Sequence, residues 1–156
     1  MIRISHAIQE SEVAKTRDLF LEYASSLEVD LTYQHFDSEV ADLPSAYGPP
    51  QGRLLLADVD GQPAGCVGIR RLTDDICEMK RLYVRTAFQG SGIGRQLVLA
   101  AVDAARDLGY RELWLDTLPT MTSAQRLYEQ LGLERIDAYG SAHAPGTRFY
   151  GLRLGP

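Results

Sequence analysis

The chain has 156 residues, 45% of them apolar and 24% charged, with a formal net charge of −5. That size and composition read as one globular domain, residues 1–156, with a core of its own. The acidic balance argues against nonspecific nucleic-acid binding, no apolar run is long enough for a membrane span, and the N-terminus lacks the apolar stretch of a signal peptide.

Residues 2–8 alternate apolar and polar side chains and read as a first strand. Ser11 is placed to cap a helix running to about Leu27. Glu10 and Glu12 sit at its positive end, and Val13, Phe20, Ala24 and Leu27 share one face. Residues 29–51 are less regular. The spacing over 37–43 fits a short helix, which Pro44, Gly48, Pro49 and Pro50 break off. Tyr33, Gln34, His35, Phe36 and Tyr47 of this segment suit either a packed connector or a wall of a substrate site.

Residues 53–59 and 62–72 form two strands around an Asp60-Gly61 turn signal. Residues 76–84 add a third strand of this antiparallel meander. Its alternation breaks between Met79 and Leu82, which predicts a β-bulge that turns backbone N–H groups toward a ligand. The loop Gln89-Gly90-Ser91-Gly92-Ile93-Gly94 comes next. Ile93, Leu97, Ala101, Ala104, Ala105 and Leu108 then recur at helical spacing until Gly109 closes the helix. Strand, glycine loop and helix start form an anion site suited to a phosphate or pyrophosphate. A Walker A loop is ruled out because Arg95 and Gln96 stand where Lys and Ser or Thr belong. The dinucleotide spacing G-x-G-x-x-G is absent too.

Residues 112–117 read as a strand ended by Pro119. Residues 122–131 read as a helix with Ala124, Leu127, Tyr128 and Leu131 on one face and Gly132 as its cap. Residues 134–139 and 147–154 read as two final strands. A helix crosses between strands 76–84 and 112–117, so that pair is parallel while the other neighbours are antiparallel. The expected architecture is α/β, a mixed sheet with helices on both faces. Cys66 and Cys77 read as reduced, buried thiols of a cytoplasmic protein. His6, His35 and His143 have no ligand spacing, so no metal site is expected.

Gln89-x-x-Gly92-x-Gly94, after a strand carrying Glu78, resembles the acyl-CoA pyrophosphate loop of the GCN5-related N-acetyltransferase (GNAT) family. Ala124-x-x-Leu127-Tyr128-Glu129-x-Leu131-Gly132-Leu133 resembles that family's A-x-x-LYE-x-x-GF helix, and the element order matches over nearly the whole chain. The resemblance implies a GNAT-like fold whose mostly antiparallel sheet contains one parallel, splayed pair, with acetyl-CoA in the resulting gap. It implies that the backbone of Leu82, Tyr83 and Val84 pairs with the cofactor's acyl and pantetheine amides. The N–H groups of Gln89, Gly90, Ser91, Gly92, Ile93 and Gly94 then hold the pyrophosphate, with Arg95 and Arg85 at its rim or merely solvated on the surface.

The same resemblance makes Glu78 the base and Tyr128 the general acid. Each also has a plain structural reading: a strand glutamate bonded to Lys80, Arg81 or solvent, and a core tyrosine. Asp116 and Thr117 end the neighbouring strand near the expected acetyl group, where a capping or turn role is expected. Cys77 raises a cysteine-nucleophile scheme that nothing in the sequence activates, so direct transfer is favoured. One departure is Met121, where the family often has an asparagine; Thr120 or Thr122 is expected to cap the helix instead. The expected activity is acetyl transfer from acetyl-CoA to a primary amine of a small molecule or peptide, by a cytoplasmic monomer or homodimer. A non-catalytic acyl-CoA-binding or sensory domain is the alternative; the presence of both Glu78 and Tyr128 favours catalysis.

Overall fold

The computed structural model of the chain describes residues 1–27, 30–31, 35–140 and 143–155. In chain order the elements are β1 (Ile2–His6), α1 (Glu10–Ser26), α2 (Phe36–Ala41), α3 (Leu43–Tyr47), β2 (Arg53–Val59), β3 (Gln62–Arg71), β4 (Ile76–Val84), α4 (Ile93–Asp107), β5 (Glu112–Thr117), α5 (Thr122–Gln130), β6 (Glu134–Arg135) and β7 (Arg148–Arg153). The seven strands make one sheet in the order β1-β2-β3-β4-β5-β7-β6. Among the described residues, only β4 and β5 pair in parallel; the other neighbours are antiparallel. Among the described residues, no helix is long and apolar enough to cross a membrane.

Strand alternation divides the core between the two faces of the sheet. On one face Leu55, Val67, Ile69, Cys77, Met79, Leu113 and Leu115 pack with the buried stripe Ile93, Leu97, Val98, Ala101 and Ala105 of α4. On the other, Leu54, Leu56 and Cys66 pack with Leu19 and Phe20 of α1 and with Phe36, Leu43 and Tyr47 of α2 and α3. Phe36 and Tyr47 are thus core residues of a packed connector, and Tyr33 and Gln34 lie outside the described residues.

Two features of β4 position the site. Against β3 its register runs Gly65–Val84, Cys66–Tyr83, then Gly68–Lys80, so β4 carries one extra residue there. This is the expected β-bulge, and Arg81 within it has φ +64°. Against β5 the pairing consists of Ile76–Glu112, Cys77–Leu113 and Glu78–Trp114 and then stops. β5 continues to Thr117 along β7, β4 continues to Val84 along β3, and a gap opens between them.

Four local expectations need correction. Gln9, not Ser11, is the N-cap of α1; Glu12 Oε1 accepts the N–H groups of Gln9 at 3.2 Å and Ile8 at 3.4 Å. Pro44 does not end a helix but sits in the first turn of α3, where its missing N–H costs nothing, and Asp42 caps that turn through Ser45. The helix at 122–130 has Met121 at its N-cap without a side-chain cap; Gln125 Nε2 instead ties its first turn to Leu118 O at 2.9 Å. β6 is two residues long, because the chain leaves the sheet edge after Ile136 and carries Tyr139 over the sheet face. The Tyr139 ring packs against Trp114 and Phe149 at centroid distances of 5.1 and 5.2 Å.

Candidate active site

Beside the gap between β4 and β5 lies a cleft of about 670 Å³. Leu82, Tyr83 and Val84 from β4 line it, as do Gln89, Gly90, Gly92, Ile93 and Gly94 from the loop and the start of α4. Thr120, Met121, Ala124 and Leu127 close its far side. Ser91 and Arg95 stand outside this wall: the Ser91 hydroxyl donates back to Phe88 O at 2.5 Å, and Arg95 is exposed on the first turn of α4. Arg85 directly follows the last residue of β4, and its charge is taken up by an ion pair with Glu22 at 2.7 Å and a bond to Pro63 O.

The loop's chemistry follows from its backbone. Gly92, the N-cap of α4, has φ +85°, a conformation that side chains with a Cβ adopt only under strain. The first bond of the helix ladder runs from the Gln96 N–H to Gly92 O. The N–H groups of Ile93, Gly94 and Arg95 therefore precede the ladder at the positive end of the helix dipole. Gly94 differs from Gly92. Its backbone is ordinary, and a Cβ there meets Val84 Cγ2 at 3.7 Å and Leu127 Cδ2 at 3.8 Å, normal contact distances. The protein itself has room for a side chain at 94, so a glycine there keeps the cleft open for something else. An apolar-walled channel ending in free N–H groups, with its floor kept bare, fits a pantetheine arm and its pyrophosphate.

The titratable residues divide between the sheet faces. Tyr128 packs in the α4-side core, 5.9 Å from the Tyr150 ring. Burial, reinforced by Tyr23, Asp116 and Tyr150, raises its hydroxyl well above the usual tyrosine pKa, so it keeps its proton at neutral pH. Glu78 sits at the last paired rung of β4 and β5 and projects to the opposite face. It is buried, with Arg70 on Oε1 at 2.8 Å and the Tyr139 hydroxyl on Oε2 at 2.6 Å. Burial pushes its carboxyl pKa up, but Lys80, Arg70 and the Tyr139 bond outweigh it and hold the carboxyl below its ordinary value. Glu78 and Tyr128 therefore lie on opposite faces of the sheet. Cys77 faces the α4-side core, where burial pushes its thiol up to about 12. A thiol held so far from ionisation is no nucleophile at neutral pH.

The sequence reading missed the charges around Glu78. The bulge puts Arg81 on the same face as Glu78 and Lys80. There it grips Glu39 of α2 through Nε and Nη2, both at 3.0 Å, with both side chains buried. The one available signal was Glu39 lying on the apolar stripe Phe36, Val40 and Leu43 of a helical segment. Nothing in the sequence pointed to Arg70 or Tyr139. Among the described residues, no group of three or more His, Cys, Asp or Glu side chains gathers as a metal site.

A profile of the acetyltransferase (GNAT) family matches residues 14–133. The chain belongs to the GNAT family of acetyltransferases. It is similar to an uncharacterised N-acetyltransferase of Schizosaccharomyces pombe, with 37% identity over 138 residues, 87% of this chain and 85% of that one. The fold is similar to that of a GNAT-family acetyltransferase of Staphylococcus aureus, with TM-score 0.81 and 20% identity over 99% of both chains. It is also similar to an acetyltransferase of Salmonella typhimurium whose structure holds acetyl-CoA, with TM-score 0.76 and 19% identity over 100% of this chain and 95% of that one.

For this acetyltransferase, acetyl-CoA at roughly 100 times its Kd is expected to stabilise the fold by about 2.7 kcal/mol, or roughly 5–10 °C in Tm. Gly94→Val is expected to abolish that shift with the unliganded Tm unchanged or raised, since its Cβ has room and leaves the ordinary backbone intact. Thermal melts of both proteins with and without acetyl-CoA check this; a full shift in the variant places the cofactor elsewhere.

A second expectation concerns acid. The Glu78 pKa is lower folded than unfolded, so its contribution is present above the ordinary carboxylate range and is lost as pH falls through that range to the folded value. Melts from neutral to acidic pH are expected to show a shallower decline for Glu78→Gln than for the parent chain, from a lower starting Tm. Parallel declines rule out Glu78 as a source of the acid sensitivity.

Proposed function

We propose that the chain moves the acetyl group of acetyl-CoA directly to a primary amine, of a small molecule or a peptide, within one ternary complex. The observation that carries this reading is the split of β4 from β5. It opens the edge of β4 beyond Glu78 and the bare start of α4 onto one cleft, whose far wall includes Leu127, the residue before Tyr128. When bound, acetyl-CoA supplies the activated acetyl thioester. Leu82, Tyr83 and Val84 offer it the backbone edge of a strand, and the N–H groups from Gln89 to Gly94 offer its pyrophosphate the helix start, with Arg95 beside them on the surface. Tyr128, protonated and buried, donates to the departing thiolate. Glu78, the base expected from the sequence, accepts the amine proton; its Oε1 is held by Arg70, and its Oε2, which accepts one bond from Tyr139, keeps a second lone pair.

Direct transfer is supported by the inert Cys77 thiol, which burial keeps from serving as an acyl carrier at neutral pH. The two buried, unpaired thiols Cys66 and Cys77 suit a reducing compartment, and we place this single-domain monomer or homodimer in the cytoplasm.

The test is CoA thiol release from acetyl-CoA with a panel of amines, with mass spectrometry of the protein in parallel. Amine-dependent thiol release without an acetylated protein intermediate is expected. Acetyl-CoA binding with no amine-dependent release identifies a non-catalytic acyl-CoA-binding domain instead.

A further inference from the structure

Tyr139 belongs to no helix or strand, yet its hydroxyl ends on the carboxylate of Glu78. Its ring is set by two others, Trp114 at 5.1 Å and Phe149 at 5.2 Å. Trp114 is the β5 partner of Glu78 at the last paired rung, so the ring that supports Tyr139 and the carboxylate that Tyr139 meets stand at one level of the sheet. The two carboxylate oxygens are held differently. Oε1 accepts from Arg70 Nε at 2.9 Å and meets Nη2 at 2.8 Å, while Oε2 accepts the Tyr139 hydroxyl at 2.6 Å. Arg70 alone fixes one oxygen and lets the other swing about it; the second contact removes that freedom and leaves one lone pair of Oε2 in a set direction. Charges face Glu78 from the surrounding elements. Arg70 reaches it from β3, with Glu39 of α2 at 4.0 Å and Tyr47 of α3 beside that arginine. Lys80 acts on it from β4 itself, with Arg81 next in the bulge. Asp116 and Thr117, expected in a cap or turn, are strand residues of β5, and the Asp116 charge acts on both Lys80 and Tyr139. Among the described hydrogen-bond partners of Glu78, Tyr139 is the one that brings no charge, so its hydroxyl can be removed without stranding an ion.

We propose that Tyr139 is a positioning residue for acetyl transfer, acting through Glu78: its hydrogen bond aims the free lone pair of Oε2 and stabilises the charged carboxylate. The inference rests on the reading of Glu78 as the base and goes beyond it by assigning a role to a residue outside the sheet. Tyr139 gives up no proton in this role. Burial, and then the neighbouring Glu78 charge, raise its hydroxyl far above the ordinary tyrosine range, so it remains a donor at neutral pH. A hydrogen bond to the charged form of an acid holds its pKa down. Without that bond, burial of Glu78 is opposed by Lys80 and Arg70 alone, and the carboxylate takes up a proton at higher pH. A base works only when deprotonated, so loss of the Tyr139 hydroxyl moves the acidic limb of kcat/KM to higher pH.

The test compares the parent chain, Tyr139→Phe, Glu78→Gln and the double variant in amine-dependent thiol release from acetyl-CoA across pH. Ethylamine and amino-acid amides are the probes, and the fastest of them serves for all four proteins, so its own ionisation is common to them. Tyr139→Phe is expected to lower kcat by roughly 10-fold and to shift the acidic limb upward by about one pH unit, with an unchanged acetyl-CoA melting shift. Glu78→Gln is expected to lose that limb and to slow transfer by roughly 10²–10⁴-fold. In the Glu78→Gln background, Tyr139→Phe is expected to cost less than roughly 3-fold more, because the residue it acts through is gone. Trp114 is the single tryptophan of the chain, so unchanged emission shows that the ring at 139 keeps its place. A merely structural tyrosine lowers Tm and rate but leaves the limb where it is. An unmoved limb in Tyr139→Phe, or the same rate loss in both backgrounds, overturns the proposal and leaves the acetyl-transfer reading standing. Parent rates in Glu78→Gln overturn it too, since the base through which Tyr139 acts is then elsewhere. If the parent chain binds acetyl-CoA and no amine releases thiol, the acetyl-transfer reading fails and this proposal fails with it.

Discussion

Tyr128→Phe is expected to slow acetyl transfer by roughly 10²–10⁴-fold, the range of a lost general acid, with little change in Tm. Tyr128 is buried among apolar residues, and its ring fills the same space without the hydroxyl. What the variant loses is a proton held at neutral pH on the residue that follows the cleft-lining Leu127, since burial keeps the hydroxyl from ionising. The loss should shrink with an acetyl thioester whose thiol is more acidic, because a better leaving group depends less on the acid. Single-turnover rates with two thioesters decide the matter. If the variant matches the parent on both while chemistry limits the rate, Tyr128 is a core residue and the acid lies elsewhere.

Glu39→Ala should be the most destabilising of the substitutions considered, by about 3–5 kcal/mol, because it removes the buried carboxylate that a buried arginine grips at two points. Arg81 is 5% exposed, its guanidinium meets the Glu39 carboxylate at two points, and the Phe36 ring lies 5.1 Å from it. The pair also pins an unfavourable backbone. Arg81 has φ +64°, costing of order 1 kcal/mol or more, and is held there by β3 on one side and Glu39 on the other. Releasing that grip loosens the bulge, so the acetyl-CoA melting shift is expected to fall as well. Urea unfolding of parent and variant measures the first effect, and melts with acetyl-CoA measure the second. A cost below about 1 kcal/mol shows that Arg81 finds water or another acid when Glu39 is removed.

These two residues mark how legible the chain is. Tyr128 stands out in sequence because it sits in a short helical pattern, Ala124 to Leu133, that local spacing defines. Glu39 does not stand out, because its meaning depends on an arginine 42 positions away. Likewise the bulge was legible as a break in alternation, while the direction in which it aims Arg81 was not.

By itself the sequence determined the order of the elements other than the short α3, the single parallel crossover, the bulge and the glycine-lined helix start. Each is dictated by local rules: side-chain period, backbone φ and the geometry of strand–helix–strand connections. Only the tertiary structure decided which charges meet. Tyr139 reaches Glu78 across 61 positions, because β6 ends after two residues and the chain that follows crosses the sheet face. That contact, with Arg70 on the other oxygen, holds the carboxylate of the expected base in place. The split of β4 from β5 then leaves Asp116 and the unpaired Thr117 hydroxyl at a pocket that no spacing in the sequence announces. Partner choice among buried polar groups is settled by desolvation and hydrogen-bond geometry in three dimensions, and a linear pattern carries neither.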